Sequence, residues 1–182
     1  MSDSTGPNGA GYIDIYNQSG TVNVIVDQFG IFTDATGTVG SRYVGLAPTR
    51  LLDTRPSSPL SANQNYLFQF TTYPCQGSCA SEGGVPIQMT KLPAVMVEPV
   101  EDVTATFTVT GPGAAGSLTL WRDGATQPAT SDLNFTAGLT ISNMVVPRTG
   151  LTTGTPPYSN VYIRNASNGS TQLVIDVCGY YI

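Results

Sequence analysis

A strict alternation of apolar and threonine residues is the feature that most constrains the fold of this chain. Apolar side chains occupy positions 103, 105, 107 and 109, and threonine occupies every even position from Thr104 to Thr110. A period of two predicts a strand with one buried face and one threonine face. No stretch of roughly ten residues free of glycine and proline has the 3.6-residue apolar period of an amphipathic helix. The sequence therefore predicts an all-β protein.

Short apolar runs separated by turn residues occur along the rest of the chain, which has 20 glycines and 13 prolines among 182 residues. Many short strands joined by tight turns are typical of an antiparallel β-sandwich or a jelly-roll-like module, and we expect that fold class here. The glycine-rich residues 111–116 predict a hairpin between the threonine strand and the next one. Further strands are predicted at Tyr66–Phe70, Ala94–Val97, Ser117–Trp121, Leu133–Phe135, Leu139–Val146 and Val161–Arg164.

An internal repeat links the two ends of the chain. Residues 13–32 resemble residues 162–181, and their Gly-Asp-Gly positions (20, 27, 30 and 169, 176, 179) differ by a constant 149. Alternating strands around an Asn/Ser/Gly turn predict a β-hairpin in each copy. We therefore expect residues 1–40 to form a tail and an extra N-terminal hairpin, and residues 41–182 to form one complete β-sandwich module.

Composition excludes several classes of function. The chain has no histidine, which rules out Ser-His and Cys-His nucleophile pairs and His-ligated zinc. Seven scattered basic residues and a net charge of -5 provide no patch for several phosphates, so we expect no nucleic-acid partner. No apolar run is long enough to span a membrane. The sequence predicts neither an enzyme nor a cofactor.

Motifs in residues 43–182 resemble a repeat module of secreted, often multi-domain proteins of actinobacteria and related bacteria. They are the opening YVGLAPTRLLDTR (residues 43–55), the segments around residues 108–121, SDLNFTAG (131–138) and the closing DVCGYY (176–181). The resemblance implies a non-catalytic β module in an extracellular or cell-surface setting. Residues 72–85, with two cysteines, depart from the pattern like an insertion.

The predicted N-terminal hairpin is too apolar to remain exposed. Each buried aliphatic or aromatic side chain contributes about 1.5–3 kcal/mol, and an isolated hairpin is marginal in water. We expect this hairpin to dock on the same chain or on a neighbouring copy, as in donor-strand exchange, giving a homo-oligomer or filament. The predicted assembly residues are Ile13, Ile15, Val22, Val24, Val26, Phe29 and Phe32.

Aromatic side chains support a competing hypothesis, a carbohydrate-binding or adhesion module whose partner is a cell-surface glycan. The candidate sugar-stacking residues are Trp121, Tyr158 and Tyr162, and ordinary sheet packing is the alternative for each of them.

Three cysteines are present. Cys75 and Cys79 lie in a loop of small residues, where we predict a disulfide. Two free thiols or a metal site are the alternatives, and a metal site lacks an evident fourth ligand. Cys178 follows an apolar strand pattern and is predicted to be a small buried hydrophobic residue.

Two charged clusters complete the candidates. Glu98, Glu101 and Asp102 are a candidate carboxylate pair or calcium site, although a solvated strand entry is the default interpretation, and we predict no metal there. Asp53 with its neighbouring arginines at positions 50 and 55 is a candidate ligand site, but we expect Asp53 to cap a turn and pair with an arginine.

Overall fold

The structure of the chain is a computed structural model. It describes residues 15–24, 26, 40–55, 58–70, 100–152 and 158–181, and for residues 69, 70, 151, 152 and 158 it describes the backbone alone. The chain divides into two units, Met1–Asp34 and Ala35–Ile182. The predicted boundary between residues 40 and 41 stays a prediction.

The described residues form nine strands and no helix, which confirms the all-β prediction. The predicted strands at residues 66–70, 117–121, 133–135, 139–146 and 161–164 all coincide with observed ones, and the strand predicted at residues 94–97 lies outside the described residues. The strands are β1 (Tyr43–Asp53), β2 (Asn65–Phe70), β3 (Asp102–Thr110), β4 (Gly116–Arg122), β5 (Leu133–Phe135), β6 (Ile141–Val145), β7 (Gly150–Thr152), β8 (Tyr158–Asn165) and β9 (Gln172–Tyr181).

Two antiparallel sheets form a β-sandwich. One has the strand order β1-β9-β3-β6, and the other has the order β2-β8-β4-β5. The short strand β7 pairs with the beginning of β8, where β4 has already ended. Strands β8 and β9 therefore occupy central positions, each with a neighbour on both sides.

The threonine strand β3 shows how the sequence builds the core. Val103, Ala105, Phe107 and Val109 are fully buried between the sheets, as the alternation predicts. The facing sheet contributes Phe68 and other fully buried side chains to the same cluster. Burial of each such Val, Leu, Ile or Phe contributes about 1.5–3 kcal/mol, so the interior between the two sheets is the main source of stability.

Two predicted hairpins are wrong. Strands β3 and β4 follow each other in sequence but lie in different sheets, and so do β8 and β9. Each pair is therefore an arch, in which the chain crosses from one sheet to the other. The C-terminal copy of the repeat, predicted as a hairpin, is the arch of β8 and β9.

The two arches pack against each other. The first comprises residues 111–115 and the second residues 166–171, and the Gly113 amide donates a hydrogen bond to the Ser170 carbonyl oxygen at 2.8 Å. A Cβ atom on Gly169 would lie 2.7 Å from the Gly113 carbonyl carbon, so only glycine allows this approach.

Candidate functional site

The front segment, residues 13–32, holds the predicted assembly residues. Its described residues contain no strand, so the extra N-terminal hairpin is not confirmed. Residues Ile13, Phe29 and Phe32 lie outside the described residues. The other four predicted assembly side chains are exposed, by 61% for Ile15, 57% for Val22, 53% for Val24 and 63% for Val26.

The front segment and the second arch each contain a turn in which an asparagine side chain contacts a glycine. The Asn17 side-chain amide donates a hydrogen bond to the Gly20 carbonyl oxygen at 2.9 Å. In the second arch, the Asn165 side-chain amide donates the same kind of bond to the Gly169 carbonyl oxygen, also at 2.9 Å. The first contact spans three residues and the second spans four, so the two turns differ in length by one residue and are alike only in joining an asparagine to a glycine.

Asn165 is fully buried and organises the second arch. Its amide also donates to the carbonyl oxygens of Leu60 and Ser61, at 3.2 and 3.0 Å. Its side-chain oxygen accepts from the Ser167 amide and hydroxyl. The polar groups of this buried side chain are thus hydrogen-bonded to the arch and to residues 60 and 61, which explains how a polar residue can end β8 in the interior.

Besides their backbone pairing, β9 and β1 are joined by two side-chain contacts. The Arg50 guanidinium donates to both carboxylate oxygens of Asp176, at 2.8 and 3.0 Å, and the Tyr43 ring lies against Gly179. The front segment has the same residue types at the equivalent positions, Asp27 and Gly30. The front segment therefore has the residue types through which β9 contacts β1.

Asp53 caps a turn, as predicted. Its carboxylate accepts from the Arg55 backbone amide at 3.1 Å and from the Arg55 guanidinium, and it also pairs with Arg50. The hydrogen bond from the Arg55 side chain is the main reason that the pKa of Asp53 lies well below its usual range. These contacts hold the turn at the end of β1 in place.

The candidate sugar-stacking residues Trp121 and Tyr162 are cross-strand partners on β4 and β8. Their rings stack with centroids 5.3 Å apart and an angle of 16° between the planes. They lie on the outer face, because their neighbours Leu120 and Ile163 belong to the core. The side chain of Tyr158 lies outside the described set. Each ring therefore has one face covered by the other.

The acidic cluster is only partly described. Glu98 lies outside the described residues, and burial raises the pKa of Asp102, with Glu101 acting in the same direction and Arg148 against it. An open depression beside this cluster is lined by both acidic and basic side chains, among them Glu101, Arg122, Asp123 and Arg148. In the described part of the chain, no three His, Cys, Asp or Glu side chains are grouped so as to hold a metal ion.

Of the three cysteines, only Cys178 lies among the described residues. Cys75 and Cys79 lie outside the described residues, so their disulfide stays a prediction. Cys178 is a free cysteine, but it is half-buried rather than fully buried as predicted, because its side chain lies at the outer face of β9. Its thiol contacts the Thr104 carbonyl oxygen at 3.4 Å, and burial raises its pKa.

Comparisons with known proteins add no family. No protein-family model matches the chain, and no curated protein or solved structure matches it. Among the residues that the structure describes, no helix has the length and hydrophobicity needed to cross a bilayer.

Proposed function

We propose that this chain is a non-catalytic structural module of the cell exterior that assembles with copies of itself through the front segment. The observation that carries the proposal is the exposure of Ile15, Val22, Val24 and Val26. Four large aliphatic side chains in one short segment form an apolar surface that favours association with another protein surface.

The internal repeat indicates that these side chains are suited to burial in a sandwich. Val24 corresponds to Leu173 and Val26 to Ile175, and both residues of β9 are fully buried in the sandwich. Burying each valine contributes about 1.5–3 kcal/mol before the entropy of ordering the segment is subtracted. Because the front segment resembles in sequence a strand at the centre of a sandwich, we expect it to dock on a sandwich.

A donor segment and an acceptor surface on every copy make a head-to-tail contact. Such a contact continues from copy to copy, and it gives a filament or surface array unless its rotation closes a ring. The extracellular setting rests on the resemblance of residues 43–182 to the secreted bacterial module.

A charge at Val24 tests the proposal. Val24→Asp places a carboxylate on the surface proposed to become buried, and we expect it to reduce association because burying an unpaired charge is costly. Gln18→Asp is the matched control, since Gln18 is exposed and polar. Sedimentation velocity over a range of concentrations is the measurement. Equal association of the two variants would refute the role of the apolar residues.

Carbohydrate binding is the second candidate function, favoured by the Trp121–Tyr162 pair on the outer face. It is tested by glycan-array binding of the intact chain and of Trp121→Ala. Binding that disappears in the variant, from a protein that stays monomeric at all concentrations, would favour this function over assembly.

A further inference from the structure

An open depression lies at one end of the sandwich, where strands of both sheets begin or end. Its volume is about 330 Å³, at the lower end of the roughly 300–1,000 Å³ of small-molecule sites. Among its lining residues, Glu101 precedes β3 of one sheet, while Arg122 ends β4 and Gly150 begins β7 of the other. The depression therefore brings together residues that are far apart in the sequence, all of them in the Ala35–Ile182 unit.

The wall that carries Asp123 has a fixed backbone. A Cβ atom on Gly150 would lie 2.3 Å from the Asp123 carbonyl oxygen, so β7 approaches this turn as closely as glycine allows. The turn itself is closed by the Ala125 amide, which donates to the Arg122 carbonyl oxygen at 3.2 Å. The side chains of Arg122 and Asp123 therefore start from a backbone that is held on two sides.

Both carboxylates at the depression accept hydrogen bonds from uncharged protein groups. The Asn160 side-chain amide donates to Asp123 at 3.1 Å, and the Ser41 hydroxyl donates to Glu101. Asn160 is only 1% exposed, and its side-chain oxygen has no hydrogen-bond partner in the described part of the chain. Because buried polar groups rarely lack partners, a side chain that holds Asp123 at this cost indicates a role for that carboxylate beyond packing.

The charges at the depression are balanced but not paired. No ion pair in the described part of the chain involves its four charged side chains, Glu101, Arg122, Asp123 and Arg148. Arg148 acts on the pKa of the neighbouring Asp102 through its charge alone. The guanidinium groups are donors only, and each carboxylate accepts more than one hydrogen bond. The depression thus offers both donors and acceptors to a ligand.

We infer that this depression binds one uncharged sugar unit through its neighbouring hydroxyl groups. A hydroxyl group both donates and accepts, so one hydroxyl accepts from a guanidinium while the next donates to a carboxylate. Hydrogen bonds to charged groups are stronger than those between neutral groups, and the balanced charges favour an uncharged ligand over an ion. The inference rests on the carbohydrate-binding candidate function, to which it adds a site and a ligand class, and it does not depend on self-assembly.

Saturation-transfer difference NMR tests the site with glucose, galactose, mannose and N-acetylglucosamine, because it observes the sugar whether the protein is a single chain or an assembly. We expect at least one of these sugars to bind the intact chain. Arg122→Gln and Glu101→Gln should each raise its Kd about tenfold, since each removes a hydrogen bond to a charged group. Arg42→Gln is the matched control, because Arg42 is exposed and does not line the depression. Circular dichroism verifies that each variant is folded.

Three results would overturn this site: no binding of any of the four sugars, tighter binding of glucuronate or sulfate than of the uncharged sugars, or equal sugar binding by Arg122→Gln and the intact chain. Binding to a glycan array that Trp121→Ala abolishes would, in each of these cases, leave the carbohydrate-binding function standing at the stacked rings. Failure of the site and failure of the function are therefore distinguishable.

Discussion

The Tyr43 ring lies directly over Gly179, so closely that a Cβ atom on the glycine would be 2.2 Å from the tyrosine oxygen. The Tyr43 hydroxyl donates to the Cys178 carbonyl oxygen at 3.2 Å, and its ring contacts the ring of Tyr181. This contact holds one end of β1 on β9, and the Arg50–Asp176 ion pair holds the other end.

Gly179→Ala is expected to lower the free energy of unfolding by about 1–3 kcal/mol, because the added methyl group displaces the ring. Gly45→Ala is the control, since a Cβ atom there would lie at an ordinary 3.7 Å from the same ring. Urea denaturation measures both. If the Tyr43→Ala background does not reduce the cost of Gly179→Ala, the ring is not its cause.

Asn165→Ala is expected to cost about 1–3 kcal/mol or more of stability, because it removes the hydrogen bonds of a fully buried side chain, among them the one from the buried Ser167 amide. Asn168→Ala changes an exposed asparagine of the same turn and should stay within about 0.5 kcal/mol. Thermal or chemical unfolding compares them. Equal losses would show that the Asn165 hydrogen bonds do not hold the arch.

Acid should weaken the ion pairs and hydrogen bonds that Asp53 makes with Arg50 and Arg55. Because the arginines hold the pKa of Asp53 below its usual range, its contribution is complete above about pH 4, the ordinary range for aspartate, and is lost as the pH falls toward its folded-state value. The pair is partly exposed, so the effect is about 1 kcal/mol or less. Denaturation of the chain and of Asp53→Asn at several pH values should show their stability difference shrinking below pH 4. A difference that is constant down to pH 2 would contradict the assignment.

Local sequence pattern predicts the strands well and their pairing poorly. The alternation at residues 103–109 predicts β3 and its buried face, since side-chain direction in a strand depends only on position. The same pattern cannot tell a hairpin from an arch, because both need glycine and asparagine at the turn. Whether the chain turns beside itself or crosses to the other sheet depends on distant strands. Here β9 lies between β1 and β3, and β8 lies between β2 and β4.

The candidate functional residues, like the strands, are only partly predictable from the sequence. The repeat and the apolar pattern mark residues 13–32 in the sequence alone, whereas the hairpin predicted there is not confirmed. The stacking of Trp121 on Tyr162 is not predictable in this way, because local sequence does not show which strands lie next to each other.

Deletion of residues 1–32 tests whether the front segment connects one copy of the chain to the next. The remaining chain keeps all nine described strands, so its circular dichroism and cooperative unfolding should persist. Light scattering over a range of concentrations then compares it with the intact chain. We expect ordered multimers of the intact chain and a folded monomer after the deletion. Multimers that persist after the deletion, or an intact chain that is monomeric at every concentration, would refute assembly through the front segment.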